Sequence, residues 1–570
     1  IQVLAAAGSG KTRVLTERVR FIFEHTQKDG IIALTFTNKA AEEMETRLSD
    51  LLDMKERCWI ATIHSVAQRI LEKYGHTIGL PSELHIYERD QDRKAVFLQS
   101  LRENGINIDE FLNVIDERTR KDRERVIQDH LDRFSVVKRE LLTEEEIKQK
   151  YASEESFWEI FQEYQEALIR SGGLDFDDIL VYAHRILMEQ PWCGQIYRAK
   201  YKHICVDEAQ DLNKAQYEFI KALCGDQIKS LLMVGDPNQM IFGFNGSSSE
   251  FLCTSFERDF SPKKFELKEN YRSSKAVICL ANKLKPGSQV GTDAVMSGLS
   301  EIVSFPDEEA EAGYICDKVL ELISKKTDSE IEGEISFSNM VVIGRNRFVF
   351  LKLEKVLAER KISYFLKKGE RQTEPSSLFG KALDLSIRIR LNPKDWVDGK
   401  KLCNSLKISP PASWGASDLL LQLANSVRSS KTPFSEIYAS LLEAVHTLDI
   451  EKPNIPKFCD HFTKALQDFI ATPTPKDDTE LERSLQELSD FRRSWTTFKR
   501  KGLGENLSAF RNAIALGQVA EDYNPSGLAL STVHTMKGLE KDIVFLMGLC
   551  EGVFPDYRAN SKKELDEELN

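Results

Sequence analysis

The sequence predicts an α/β protein built on open parallel sheets, and three observations predict it. The chain opens with an apolar strand, a glycine-rich turn and a helix-patterned stretch. Further short apolar runs alternate with helical periodicity, the mark of strands joined by crossover helices. Two long stretches, about 88–170 and 394–522, then turn to dense charge at helical spacing with few strand runs, which predicts a helical insertion in each of two α/β domains.

The elements follow in order. Val3 and Leu4 lead into the turn 5–10, after which Leu15, Val19 and Ile22 keep helical spacing. IIALTF (31–36) is a second buried strand, 40–52 an amphipathic helix, and 59–62 a third strand before a helix through Ile70 and Leu71. In the first insertion, Arg118, Arg120, Lys121, Arg123 and Arg125 are interleaved with acids, which fits a solvated helix face or a patch for DNA phosphates. The sheet resumes at 204–207 and 231–235. A second α/β unit is expected from Pro262, with strands at 265–267 and 341–344, up to Asn392-Pro393. In the second insertion a loop is expected at Pro473-Thr474-Pro475, followed by a charged helix; strands return at 528–533 and 543–547. The expected division is 1–85 with 168–261, insertion 86–167, then 262–393 with 523–570, insertion 394–522.

Composition bounds the function. At 570 residues the chain exceeds one core, and 41% hydrophobic with 29% charged residues describes a globular protein rather than a disordered one. No apolar run approaches the roughly 20 residues of a membrane span. The first residues read as a core strand, which leaves no targeting peptide to read and makes a chain clipped at its N-terminus the expectation. Ten cysteines without a CxxC pair fit free thiols in a reducing cytosol, several of them in apolar runs (Cys205, Cys279, Cys550). A net charge of −12 argues against a protein that coats nucleic acid by bulk electrostatics, while leaving room for a local DNA groove.

The chemistry lies in the turns. AAAGSGKT (5–12) points backbone N–H groups at a polyphosphate, Lys11 reaches the β/γ-phosphates and Thr12 offers a hydroxyl to Mg²⁺. The strict phosphate-loop pattern has glycine where Ala5 stands. Asp207 and Glu208 end an apolar strand, placed for one carboxylate to hold the metal and the other to activate water. In GDPNQMIFGFNG (235–246) Gln239 can bond the γ-phosphate or the attacking water, with Phe242 and Phe244 alternating beside it. LKENYRSS (267–274) offers Arg272 for transition-state charge and Tyr271 as a stacking surface for a base, and STVHTMKGLE (531–540) adds His534, Lys537 and Glu540 at a strand-to-helix turn.

With TFTNKAAEEM (35–44), TIHS (62–65), LDFDDIL (174–180) and VDEAQD (206–211) in the same order, the set resembles the UvrD/Rep/PcrA group of superfamily 1 DNA helicases over nearly the whole chain. The resemblance implies two RecA-like P-loop motor domains with ATP between them, each carrying a helical insertion. By position it implies that Ala7, Gly8, Ser9, Gly10, Lys11, Thr12 and Arg13 bind nucleotide, that Thr12 and Asp207 hold Mg²⁺, and that Glu208 is the base. It makes Gln239 the γ-phosphate sensor, Arg272 a cation from the second motor domain, Tyr271 the adenine stack and Glu540 the ribose contact. Phe36, Asn38, His64, Phe176, Phe242, Phe244, His534 and Lys537 are the implied DNA contacts; for the phenylalanines, core packing is the alternative, weighed most for Phe36 and Phe176.

The chain departs from the family at Ile63, usually aromatic, at Asn245, usually arginine, and at Ala6, often glycine. The upstream adenine-reading glutamine and the last motif, with a second arginine and TRA, are expected outside these 570 residues. A fragment of that kind is expected to bind nucleotide but to turn over poorly. The implied function is 3′→5′ movement on single-stranded DNA, acting at duplex junctions in repair, recombination or replication restart with protein partners of those pathways, in the cytoplasm and on the nucleoid. A motor subunit of a helicase–nuclease complex and a DNA-binding protein with impaired ATPase are the alternatives.

Overall fold

A computed structural model describes the chain except residues 82–84, 293–294, 332, 368–373, 431–433, 471–477, 521–525 and 560. The loop expected at 473–475 lies outside the described residues. Fourteen strands are described: β1 (Gln2–Ala5), β2 (Gly30–Thr35), β3 (Cys58–Thr62), β4 (His85–Tyr87), β5 (Gly173–Asp175), β6 (Tyr201–Val206), β7 (Ser230–Gly235), β8 (Lys264–Leu267), β9 (Glu269–Asn270), β10 (Val290–Gly291), β11 (Met340–Gly344), β12 (Tyr364–Leu366), β13 (Leu528–Thr532) and β14 (Ile543–Leu546).

The first sheet is parallel throughout, in the order β3-β2-β6-β7-β1-β8. Its central strands are apolar runs rather than alternating ones because helices cover both faces; all six positions of β2 are buried, while the edge strand β8 is mostly exposed. Helix Lys11–His25 turns Leu15, Val19 and Ile22 into that core, and it stops where Thr26 caps Ile22 O through both its N–H and its hydroxyl. The second sheet is also parallel, in the order β12-β13-β11-β14. The chain is therefore α/β with two main parallel sheets, of six and four strands. One strand expected in the second α/β unit falls elsewhere: Lys264–Leu267 pairs with β1 at the edge of the first sheet, register Val3↔Phe265. Sequence placed it after a proline and a polar loop, but the open edge of β1 is its nearest parallel partner.

The residues group into two compact units, Ile1–Ile63 with Gly194–Glu370 and Asp522–Asn570, and His64–Cys193 with Arg371–Glu521. Both parallel sheets belong to the first. The second is mainly helical, with the small parallel pair β4-β5 and an aliphatic–aromatic core that includes Leu383, Leu423, Leu442, Phe462 and Trp495. Among the described residues no helix is long and apolar enough to cross a membrane. All ten cysteines are free; Cys205 is buried, but Cys279 and Cys550 are exposed, so their apolar neighbours in sequence do not mark core positions. The basic run lies on helix Glu117–Arg139, where Lys121 and Arg125 pair with Glu117 and Asp122 on an exposed face, while Arg123 covers the Phe111 ring and bonds its carbonyl.

The second unit is held by buried charge. Lys138 is sealed between Asp175 and Asp178 at 2.6 and 2.9 Å. Burial and the Asp175 charge push Asp178 up to about 6. Farther along, Arg388, itself fully buried, bonds Glu88 at 2.6 Å, Asp384 at 3.2 Å and Asp398 at 3.4 Å, and Arg511 shares the same Glu88 oxygen. Beside them burial drives His85 down to about 3, so this imidazole is neutral. Removing one member of such a cluster leaves unpaired carboxylates out of water and costs about 3–5 kcal/mol. Arg388→Leu is expected to lower the urea midpoint of unfolding accordingly, and Arg388→Lys, without the planar fork, to recover only part of it.

Candidate nucleotide and nucleic-acid site

Three neighbouring strands of the first sheet end side by side: register pairs Leu4 with Gly235 and Val206 with Met233. The turns that leave them form the site. After β1 the chain bends through Gly8 and Gly10, both at positive φ (68° and 90°), and starts a helix at Lys11 that no side chain caps. Those first-turn N–H groups are left to face an anion. Gly8 is required twice, since a Cβ there would lie 2.2 Å from Asn270 Oδ1. Asn270, fully buried, accepts the N–H groups of Arg272 and Ser273 at 2.9 Å each, and Tyr271 N–H donates to Gly8 O. NYRS is thus seated on the glycine turn, a link that gave no signal beyond Asn270 itself.

Lys11 Nζ donates to Gln239 Oε1 at 2.8 Å and lies 3.8 Å from Glu208 Oε2. Thr12 Oγ1 donates to Asp207 Oδ2 at 3.3 Å. Burial, then the Glu208 charge, pushes Asp207 up to about 7. A buried hydroxyl–carboxylate set so short of positive charge fits a hard cation bound through oxygen. Glu208 is a non-glycine residue in the left-handed region, φ 49°. Ala7 and Ser9 lie in the turn, where Ser9 Oγ bonds Ala6 O, and Arg13 is exposed on the first helical turn. Arg272 and Glu540 are both exposed and pair with each other, and Tyr271, 60% exposed, donates its hydroxyl to Glu269.

The implied DNA contacts divide. Phe36 stacks on Phe242 (centroids 5.4 Å), and Phe242 and Phe244 both meet His534 (5.8 and 5.3 Å). Phe244 is 66% exposed, which is against a core role for it. Burial, then the Arg345 charge, lowers the His534 pKa. Lys537 lies 4.8 Å over the Phe242 ring, but its ammonium is taken up by Asp211 at 2.5 Å and by Gln239 O at 2.6 Å. Asn38 opens helix Asn38–Arg47, whose N-cap is Thr37. His64 stacks on Phe176 at 4.2 Å in the second unit, where a capping box of Asp175 and Asp178 starts the helix that carries Phe176. Of the departures, Ile63 is buried, and Asn245 closes a one-turn helix through its N–H to Phe242 O. Sequence reasoning missed Gln210, fully buried between Glu208 and Asp236, and Glu567, whose carboxylate accepts Gly243 N–H at 2.5 Å. Gly235 and Gly243 were its available signals, because a Cβ at either would strike those side chains.

The parallel sheet, the uncapped glycine turn and the Lys–Thr–Asp–Glu set define a P-loop nucleoside triphosphatase. The sequence matches the UvrD/REP helicase N-terminal domain over residues 1–261 and the UvrD-like helicase C-terminal domain over 265–570. The chain belongs to the UvrD/Rep helicase family, and so is an ATPase of the DNA-helicase class. It is 28% identical to the ATP-dependent DNA helicase PcrA of Staphylococcus epidermidis over 610 residues, covering 100% of this chain and 78% of that protein. It is 27% identical to PcrA of Bacillus subtilis over 602 residues (99% and 78%) and 26% identical to a probable DNA helicase II homolog of Mycoplasma capricolum over 598 residues (100% and 79%).

Gly8→Ala would place an L side chain at positive φ against the Asn270 carbonyl. It is expected to cost about 1–3 kcal/mol, visible as a lower midpoint in denaturant melting, and to weaken nucleotide binding followed by fluorescence titration.

Proposed function

We propose that this protein hydrolyses ATP to move 3′→5′ along single-stranded DNA and to open duplex at single-strand junctions, in repair, recombination or replication restart. The observation that carries the reading is one short segment with three attachments. Gln239 gives its side chain to Lys11 and its carbonyl to Lys537, and three residues later Phe242 stacks on Phe36. A change at the phosphate end of that segment moves the aromatic end.

In this reading Ala7, Gly8, Ser9, Gly10, Lys11, Thr12 and Arg13 cradle the triphosphate, Tyr271 stacks on adenine and Glu540 bonds the ribose. Thr12 and Asp207 would hold Mg²⁺, which when bound supplies positive charge to the β/γ-phosphates. Glu208 takes the proton of the attacking water, Gln239 orients that water, and Arg272 offsets charge on the γ-phosphate. Lys11 exchanges its present partners for phosphate oxygens. The exposed ring of Phe244, with Phe36, Phe242 and His534, makes a stacking surface indifferent to base identity, as a motor that walks on any sequence needs. His64 and Phe176 contact bases, Asn38 contacts the DNA, and Lys537 serves it from the Phe242 ring while tying Asp211 to Gln239. Residues 1–85 with 168–261 and 262–393 with 523–570 are taken as the RecA-like motor domains, with 86–167 and 394–522 as their insertions. The protein is assigned to the cytoplasm, to the nucleoid when on DNA, and to repair or recombination protein partners.

In a full-length version of the protein, Lys11→Ala is expected to abolish DNA-stimulated ATP hydrolysis while single-strand affinity stays within a few-fold; retained hydrolysis overturns the site. Phe244→Ala is expected to weaken single-strand binding by about 1–3 kcal/mol with little dependence on base sequence. Anisotropy titrations on homopolymers check this, and unchanged affinity with a lowered melting temperature would return Phe244 to a structural role.

A further inference from the structure

The carboxylate read above as the base is gripped by a residue given no role so far. Gln210 lies on the one-turn helix Ala209–Asp211, fully buried. Its Nε2 donates to Glu208 Oε2 at 2.6 Å and to Asp211 Oδ2 at 3.3 Å, and its Oε1 accepts Asp236 N–H at 3.0 Å. Both amide N–H groups and the carbonyl are engaged, so the side chain is held at both ends. The fit is close, since a Cβ on Gly235 would stand 2.4 Å from Gln210 Oε1.

Two further features give this grip a purpose. Glu208 sits in left-handed backbone, a conformation that costs a non-glycine about 1–3 kcal/mol and persists only where the surroundings over-determine it. The backbone aims the stem of Glu208, and Gln210 fixes its head. The same amide also reaches the sensor loop by two routes. Asp236 O accepts Gln239 N–H at 2.9 Å, and Asp211 holds Lys537, which bonds Gln239 O. A methionine here would supply neither the acceptor for Asp236 nor the donor for Glu208, and an asparagine would keep the amide but draw it back from both.

We propose that Gln210 is a positioning residue for hydrolysis, orienting Glu208 toward the phosphate loop and keeping it in step with the loop that carries Gln239. The proposal rests on Glu208 being the base. Steady-state ATPase on the full chain with single-stranded DNA tests it. Gln210→Asn and Gln210→Met are each expected to lower kcat about 10–100-fold, as small misplacements of a catalytic group do. KM for ATP and the Kd for DNA should stay within about threefold, since only the chemical step is touched. Because Gln210 acts through Glu208, the double variant Glu208→Gln/Gln210→Met should be no slower than Glu208→Gln alone. A wild-type kcat in both single variants, or losses that multiply in the double variant, overturns the proposal. If Gln210→Met melts early, Gln210→Asn decides alone, because it adds no charge and leaves the amide in place, one methylene short of Glu208. An unimpaired kcat in Glu208→Gln would instead overturn the base assignment, so the two failures are distinct.

Discussion

Parallel pairing of β6, β7 and β1 brings three strand ends to one level, and the phosphate-facing groups Lys11, Thr12, Asp207, Glu208 and Gln239 hang from them. Ala5 leads into the glycine turn, Val206 into Asp207 and Glu208, and Gly235 into Asp236 and Gln239. In an all-parallel sheet the carboxyl ends share one edge, where ligands collect. Their register, Leu4↔Gly235 and Val206↔Met233, sets which residues stand at that edge. Asn270 and Lys537 then bring the chain from beyond the first sheet onto the same edge, through Gly8 and Asp211.

The two units handle buried charge differently. In the second, cations reach the centre of each acidic cluster, as Lys138 does between two aspartates and Arg388 among three carboxylates. Such groups cost desolvation and repay it through geometry, so they hold helices in place rather than react. In the site, Asp207 and Glu208 share one lysine, and Glu208 has it only at 3.8 Å. That shortage of positive charge leaves room for another cation. Even Asp211, with an ammonium at 2.5 Å, is driven by burial up to about 7.

The sequence carried the parts of the site that are local. Gly8, Gly10, Lys11 and Thr12 are neighbours in the chain, and their turn needs only glycine's backbone freedom and a following helix. The Asp-Glu pair after Val206 was legible for the same reason, and so were the core strands, whose apolar runs match burial on both faces. What stayed hidden depends on distant residues. Asn270 meets Gly8, Gln210 meets Asp236, Glu567 meets Gly243, and no spacing announces such pairs. The buried Arg388 cluster was invisible because it joins Glu88, Asp384 and Asp398, and charged residues in a helical stretch look like a solvated surface until the partner is known. Lys264–Leu267 went to the wrong sheet because pairing, unlike periodicity, is a property of two strands.

The strand order of the second sheet has a consequence for synthesis. β13 lies between β12 and β11, yet it is encoded some 160 residues after β12. The first sheet has all its strands once residue 267 has left the ribosome. In the second, β11 and β12 must wait for a central partner that translation at about 5–20 residues per second delivers roughly 8–30 s later. Meanwhile Val341, Val342 and Phe365 sit on unpaired edges, which are templates for association between nascent chains. The late arrival of the strand that bears Ser531 and Thr532 leaves those edges open for as long as the intervening helical stretch is being made.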